Sequence, residues 1–132
     1  MKMNKAKLNK AKLRQCGINY DQGMLYFVGD EALYLEYLEK MLHYDFCTDM
    51  REKLSAENPE ESIYAADRYK ALANYICAPE IENAVSSIRI ALKAGKPDRV
   101  EEKLARIGGE LDKMRSIMGV TEISTEVEGI DF

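Results

Sequence analysis

The stretch Asn58-Pro59-Glu60-Glu61-Ser62-Ile63-Tyr64-Ala65-Ala66-Asp67-Arg68-Tyr69-Lys70-Ala71-Leu72-Ala73-Asn74-Tyr75-Ile76 reads as one helix with a sharp start. Asn58 is a capping residue, Pro59 suits the first helical position, where its missing N–H costs nothing, and Glu61 stands at the third position of a capping box. Projected at about 100° per residue, Ala65, Tyr69, Leu72, Ala73 and Ile76 fall in one sector, the face that must meet a core. Asp67, Lys70, Ala71 and Asn74 fall on the opposite side, with Ile63 and Tyr64 beside them. An apolar stripe backed by a polar one is the pattern of a helix packed on one side only.

The same pattern extends in both directions. A short helix is expected from about Asp21 to Val28, ended by Gly29. Asp30 then caps a long helix to about Leu54, with Leu35, Leu38, Leu42, Phe46 and Met50 on one stripe. Beyond Ile76, Ala78-Pro79-Glu80 opens another helix that turns Ile81, Ala84 or Val85, Ile88 and Leu92 inward, with Gly95 as its stop. Pro97 opens the last, in which Val100, Leu104, Ile107, Leu111, Met114 and Met118 keep a 4-3-4-3-4 spacing. Strand signals are almost absent. The expected fold class is all-α: an antiparallel up-down-up-down four-helix bundle with short extra N-terminal helices. The domain organisation expected is one helical domain over residues 1–118, with an N-terminal helical segment 1–29 and a bundle 30–118. Residues 119–132 form an acidic tail without helical period, flexible or laid over the surface.

Composition narrows the function classes. The chain has 132 residues, 46% apolar and 32% charged, with a net charge of −4. That suits a single globular domain and argues against nucleic acid as the main partner. Lys2, Lys5, Lys7, Lys10, Lys12 and Arg14, with Leu8 and Leu13, make a short basic helix at the start. Its large apolar residues are too few for a membrane anchor. No apolar run reaches the roughly 18–20 residues that span a bilayer, and no apolar region follows the early charges as in a secretory signal. Cys16, Cys47 and Cys77 are odd in number and widely spaced, and His43 is the one histidine. They make neither a disulfide framework nor a zinc site, and are expected as reduced thiols in the cytoplasm. No cofactor or metal is implied. Glu101, Glu102, Glu110 and Asp112 read as a solvated face, and the tyrosines Tyr34, Tyr37, Tyr44, Tyr64, Tyr69 and Tyr75 as core edges and interface anchors. Gly108-Gly109 marks a kink or a close helix approach, weakening the last helix by up to about 1 kcal/mol per glycine.

Two segments carry a resemblance. Gly17-Ile18-Asn19-Tyr20-Asp21, Gly23-Met24, Phe27, Gly29-Asp30, Leu33-Tyr34 and Leu38 resemble the opening of the histidine-containing phosphotransfer (HPt) domains of bacterial phosphorelays. Ala66-Asp67-Arg68-Tyr69-Lys70-Ala71-Leu72-Ala73-Asn74-Tyr75-Ile76-Cys77-Ala78 is similar, without a gap, to the family pattern A-H-x-L-K-G-S-A-x-x-[LI]-G-A. The resemblance covers roughly residues 15 to 118. It places the phospho-accepting histidine on Asp67, the phosphoryl-neutralising lysine on Lys70, the glycine that admits a receiver domain on Ala71, and the following serine on Leu72. Lys70 matches; the other three depart.

An imidazole serves there because its neutral nitrogen is nucleophilic near pH 7. A carboxylate on an open helix is fully charged, repels the incoming phosphoryl oxygens and lacks a metal cluster to offset them. In sequence, Lys70 is the only cation close enough to help. The resemblance therefore implies a non-catalytic, pseudo-HPt signalling module that binds response-regulator receiver domains or hybrid histidine kinases through Ile63, Tyr64, Asp67, Lys70, Ala71 and Asn74, without phosphate transfer. Two alternatives stay open: an active phosphotransfer protein using His43, and a helical adapter unrelated to phosphorelays. An oligomer through the basic N-terminal helix is not specified by any pattern.

Overall fold

Hydrogen-bonding side chains placed at helix starts cut the chain into its elements. The computed structural model describes residues 10–96 and 98–126; the basic stretch before Lys10, Pro97 and the chain beyond Glu126 lie outside the described residues. Among the described residues there are seven helices and no strand: α1 (Lys10–Gln15), α2 (Tyr20–Tyr26), α3 (Glu31–His43), α4 (Phe46–Ser55), α5 (Pro59–Ile76), α6 (Pro79–Lys93) and α7 (Asp98–Met118). The side chains of Asn19, Asp30, Asp45 and Asn58 accept from the N–H groups of Gln22, Leu33, Thr48 and Glu61, at 3.1–3.2 Å. Each satisfies one of the donors that a helix start leaves unpaired.

The expected long helix from Asp30 to Leu54 is two helices. Tyr44 leaves helical geometry, at φ −82° and ψ 125°, and Asp45 caps a new start. A break inside a bundle exposes carbonyls that need donors, and every one from Met41 to Tyr44 has one. The Tyr69 hydroxyl donates to Met41 O at 3.0 Å. Buried Arg115 donates through Nε to Leu42 O at 2.6 Å and through Nη2 to Tyr44 O at 3.0 Å. Ser124 N donates to His43 O at 2.9 Å, and its own carbonyl accepts from Asp45 N at 2.8 Å. The tail from Gly119 is thus laid over the surface as far as it is described. Val120 is buried, and Ser124 forms a parallel bridge with Tyr44 at the break.

The core stripes match their expected registers. Leu35, Leu38, Leu42, Phe46 and Met50 are all buried despite the break, as are Ile81, Val85, Ile88 and Leu92 of α6. Val85, not Ala84, takes the inner position. In α7, Val100, Leu104, Ile107, Leu111 and Met114 are buried and Met118 is half-buried. α5 packs most extensively on α6 and also on α4, α3 and α2, while α7 packs on α6, α4, α1 and α3.

One glycine is required by packing. Gly23 sits inside α2 against Tyr34, whose fully buried ring carries a hydroxyl that donates to Ile76 O at 3.0 Å. A Cβ at position 23 would meet Tyr34 Cε2 at 2.5 Å. Gly23→Ala is expected to lower stability by about 1–2 kcal/mol, the overpacking cost exceeding the helix-propensity gain. A urea titration reads this as a lower midpoint with an unchanged slope.

Candidate functional site

The outward face of α5 is built by the start and stop of that helix. Asn58 and Pro59 set its first turn. Cys77 ends it in the left-handed conformation at φ 61°, and Pro79 starts α6 two residues later. So tight a connection makes α5 and α6 an antiparallel pair. Of the six residues expected on the outward stripe, Tyr64 and Asn74 are exposed, while Ile63, Asp67, Lys70 and Ala71 are half-buried. All six lie outside the core, and Ala65, Tyr69, Leu72, Ala73 and Ile76 lie within it.

The structure adds a cation that sequence proximity does not supply. Arg89 Nε of α6 pairs with the Asp67 carboxylate, whose side chain keeps 44% of its exposure. The signal for it lay in the connection. Residue 67 is ten positions before Cys77 and residue 89 twelve after, so an antiparallel pair turning there sets them level. Among the described residues Lys70 forms no ion pair, and its ammonium is therefore available to an incoming group. The Arg68 guanidinium lies over the exposed Tyr64 ring, 4.2 Å from its centre, a cation–π contact. α3 borders the same face through Tyr37, whose ring meets Tyr75 edge-on at 6.2 Å and carries the Lys40 ammonium at 4.9 Å. The site is a shallow surface with aromatic anchors, two lysines and one compensated carboxylate.

His43 lies apart from this face. Its Nδ1 donates to Glu122 O at 2.7 Å, and Nε2 is buried with no hydrogen-bond partner among the described residues. With the 120–126 segment seated, neither ring nitrogen is open to an incoming phosphoryl group. Burial raises the pKa of all three thiols. Cys47 is buried, donates to Leu104 O at 3.3 Å, and burial pushes its pKa up to about 11. Among the described residues no group of three or more His, Cys, Asp or Glu side chains is placed to hold a metal ion, and no helix is long and apolar enough to cross a membrane.

No protein-family model matches the chain, and comparison with curated proteins and with solved structures finds no match.

Proposed function

We propose that this chain is a pseudo-HPt module, which docks a receiver domain or a hybrid histidine kinase of a cytoplasmic phosphorelay and passes on no phosphate. The observation that carries the reading is Asp67: it stands where the resemblance puts the phospho-accepting histidine, at mid-helix, outward and half-exposed. The packing order supports an antiparallel four-helix bundle as the frame. α3 with α4 neighbours α5, α5 neighbours α6, α6 neighbours α7, and α7 returns to α3 and α4, with α1 and α2 added at the N-terminal side.

Two physical points favour binding without chemistry. A carboxylate accepts a phosphoryl group only where a cation cluster neutralises the developing acyl phosphate, and among the described residues no group of three or more His, Cys, Asp or Glu side chains is placed to hold a metal ion beside Asp67. Its pairing with Arg89 cancels much of the charge that would otherwise repel the carboxylates surrounding a receiver's own aspartate. Lys70 remains to meet those carboxylates, and Tyr64 provides the aromatic contact near the centre of the face.

The direct test is Asp67→His combined with Ala71→Gly. The parent is expected to bind a cognate receiver domain and to take up no label from its phosphorylated form. The double variant is expected to bind it and to become labelled in an acid-labile manner. Failure of both proteins to bind any receiver domain encoded beside the gene would remove the proposal.

A further inference from the structure

At the corner between α2 and α3 the chain carries apolar side chains that its own fold does not use. Leu25 is 71% exposed, Tyr26 53% and Val28 91%, within four consecutive residues, and Leu33 on the adjoining first turn of α3 is 38% exposed. Val28 is also strained. The N–H of Gly29 reaches back to Met24 O at 2.9 Å, which closes α2 with a left-handed residue, and that residue is Val28 at φ +52°. Glycine is the usual occupant because a Cβ crowds the backbone there, and a β-branched side chain fits worst. Val28 therefore costs stability and gains almost no packing inside the chain. Backbone strain of this kind, unrepaid by local contacts, points to a task at the strained position.

The charge around the corner says what fits it. From Tyr20 to Glu39 the sequence holds Asp21, Asp30, Glu31, Glu36 and Glu39 and no lysine or arginine. Lys10 pairs with Asp21 across 3.7 Å, both side chains well exposed, and this offsets one of the five. An apolar knob in an acidic field repels anionic lipid and nucleic acid and attracts cationic surfaces.

We infer that the Leu25–Val28 corner is a second docking surface, separate from the outward face of α5, and that its partner is a protein segment with an apolar face rimmed by lysine or arginine. Val28 and Leu25 supply the contact and the surrounding carboxylates select the partner's charge.

The test uses the whole chain and a labelled 16-residue amphipathic peptide of leucine and lysine, with a serine-for-leucine peptide of the same charge as control. Fluorescence anisotropy is expected to show the leucine peptide binding at least about tenfold more tightly than the control, with nuclear magnetic resonance shifts centred on residues 25–33. Val28→Gly should raise the melting temperature by about 2–4 °C, because strain is relieved, and at the same time weaken the peptide by about tenfold. Leu25→Ser should weaken it similarly without the gain in melting temperature. Equal binding of the two peptides, shifts centred elsewhere, or variants that bind as the parent does would overturn the inference. So would a Val28→Gly protein that melts no higher, or a parent that sediments as a dimer dissociated by Leu25→Ser, since the corner's occupant would then be a second copy.

Discussion

Replacing Arg115 by methionine is expected to cost about 2–4 kcal/mol, lowering the melting temperature by roughly 7–15 °C. The guanidinium is only 7% exposed as a residue, and the carboxylate it contacts, Asp112 at 3.3 Å, is itself exposed. Its value therefore lies in the carbonyls of Leu42 and Tyr44, which no other donor among the described residues serves. Methionine keeps much of the side-chain volume and removes only the donors, so two buried acceptors lose their partners, at about 1–3 kcal/mol each before relaxation. Some of that loss is recovered, because a buried guanidinium also carries a desolvation cost. Arg115→Lys keeps the charge but replaces a planar fork by a single point donor, and should recover less than half of the loss. Thermal melts of the three proteins at one pH decide this. A methionine variant as stable as the parent would mean that water serves both carbonyls.

The break that Arg115 supports is also where reading the sequence fell short. Local signals were enough for the start of α3 and for both ends of α5 and α6, while α2 stops at Tyr26, two residues before the expected Val28. Asp30, Asn58 with Pro59, Pro79 and Gly95 mark helix ends by their own chemistry, and each stands where the structure starts or stops a helix. The interior of the first long segment gives no such warning. Leu42, Phe46 and Met50 keep a four-residue spacing straight through Tyr44 and Asp45, so the apolar period is continuous although the backbone is not. Asp45 is a capping residue type, yet within a periodic run it reads as one more solvated acid. The groups that make the break affordable are Tyr69, Arg115 and Ser124, 28 to 81 positions away from the carbonyls or amides they serve. The same limit hid the Asp67–Arg89 pair, which exists only once α5 and α6 are set level. By contrast, the split of α5 into an inward and an outward face needed nothing beyond its own period, and all six residues proposed for docking lie outside the core.

Tyr69, on the inward face of α5, ties that helix to the break, and its removal carries the largest expected effect. The ring is 1% exposed and stacks on Phe46 with centres 4.4 Å apart and planes 6° from parallel. Burial holds its hydroxyl well above the usual phenol range, so it stays protonated and donates to Met41 O. Tyr69→Ala is expected to cost about 3–5 kcal/mol, a cavity beside Phe46 adding to the lost hydrogen bond. Tyr69→Phe removes the hydroxyl alone and should cost about 1–2 kcal/mol. Because Met41 O and Leu42 O belong to the same last turn of α3, the two donors that serve them are coupled. Once that turn frays in Arg115→Met, the Met41 carbonyl can reach water and the Tyr69 hydroxyl has less left to contribute. The double variant Tyr69→Phe/Arg115→Met is therefore expected to fall short of the sum of the single losses by about 0.5–1.5 kcal/mol. A strictly additive cycle in urea titrations would mean that the two carbonyls are held independently and that the end of α3 does not open as one unit.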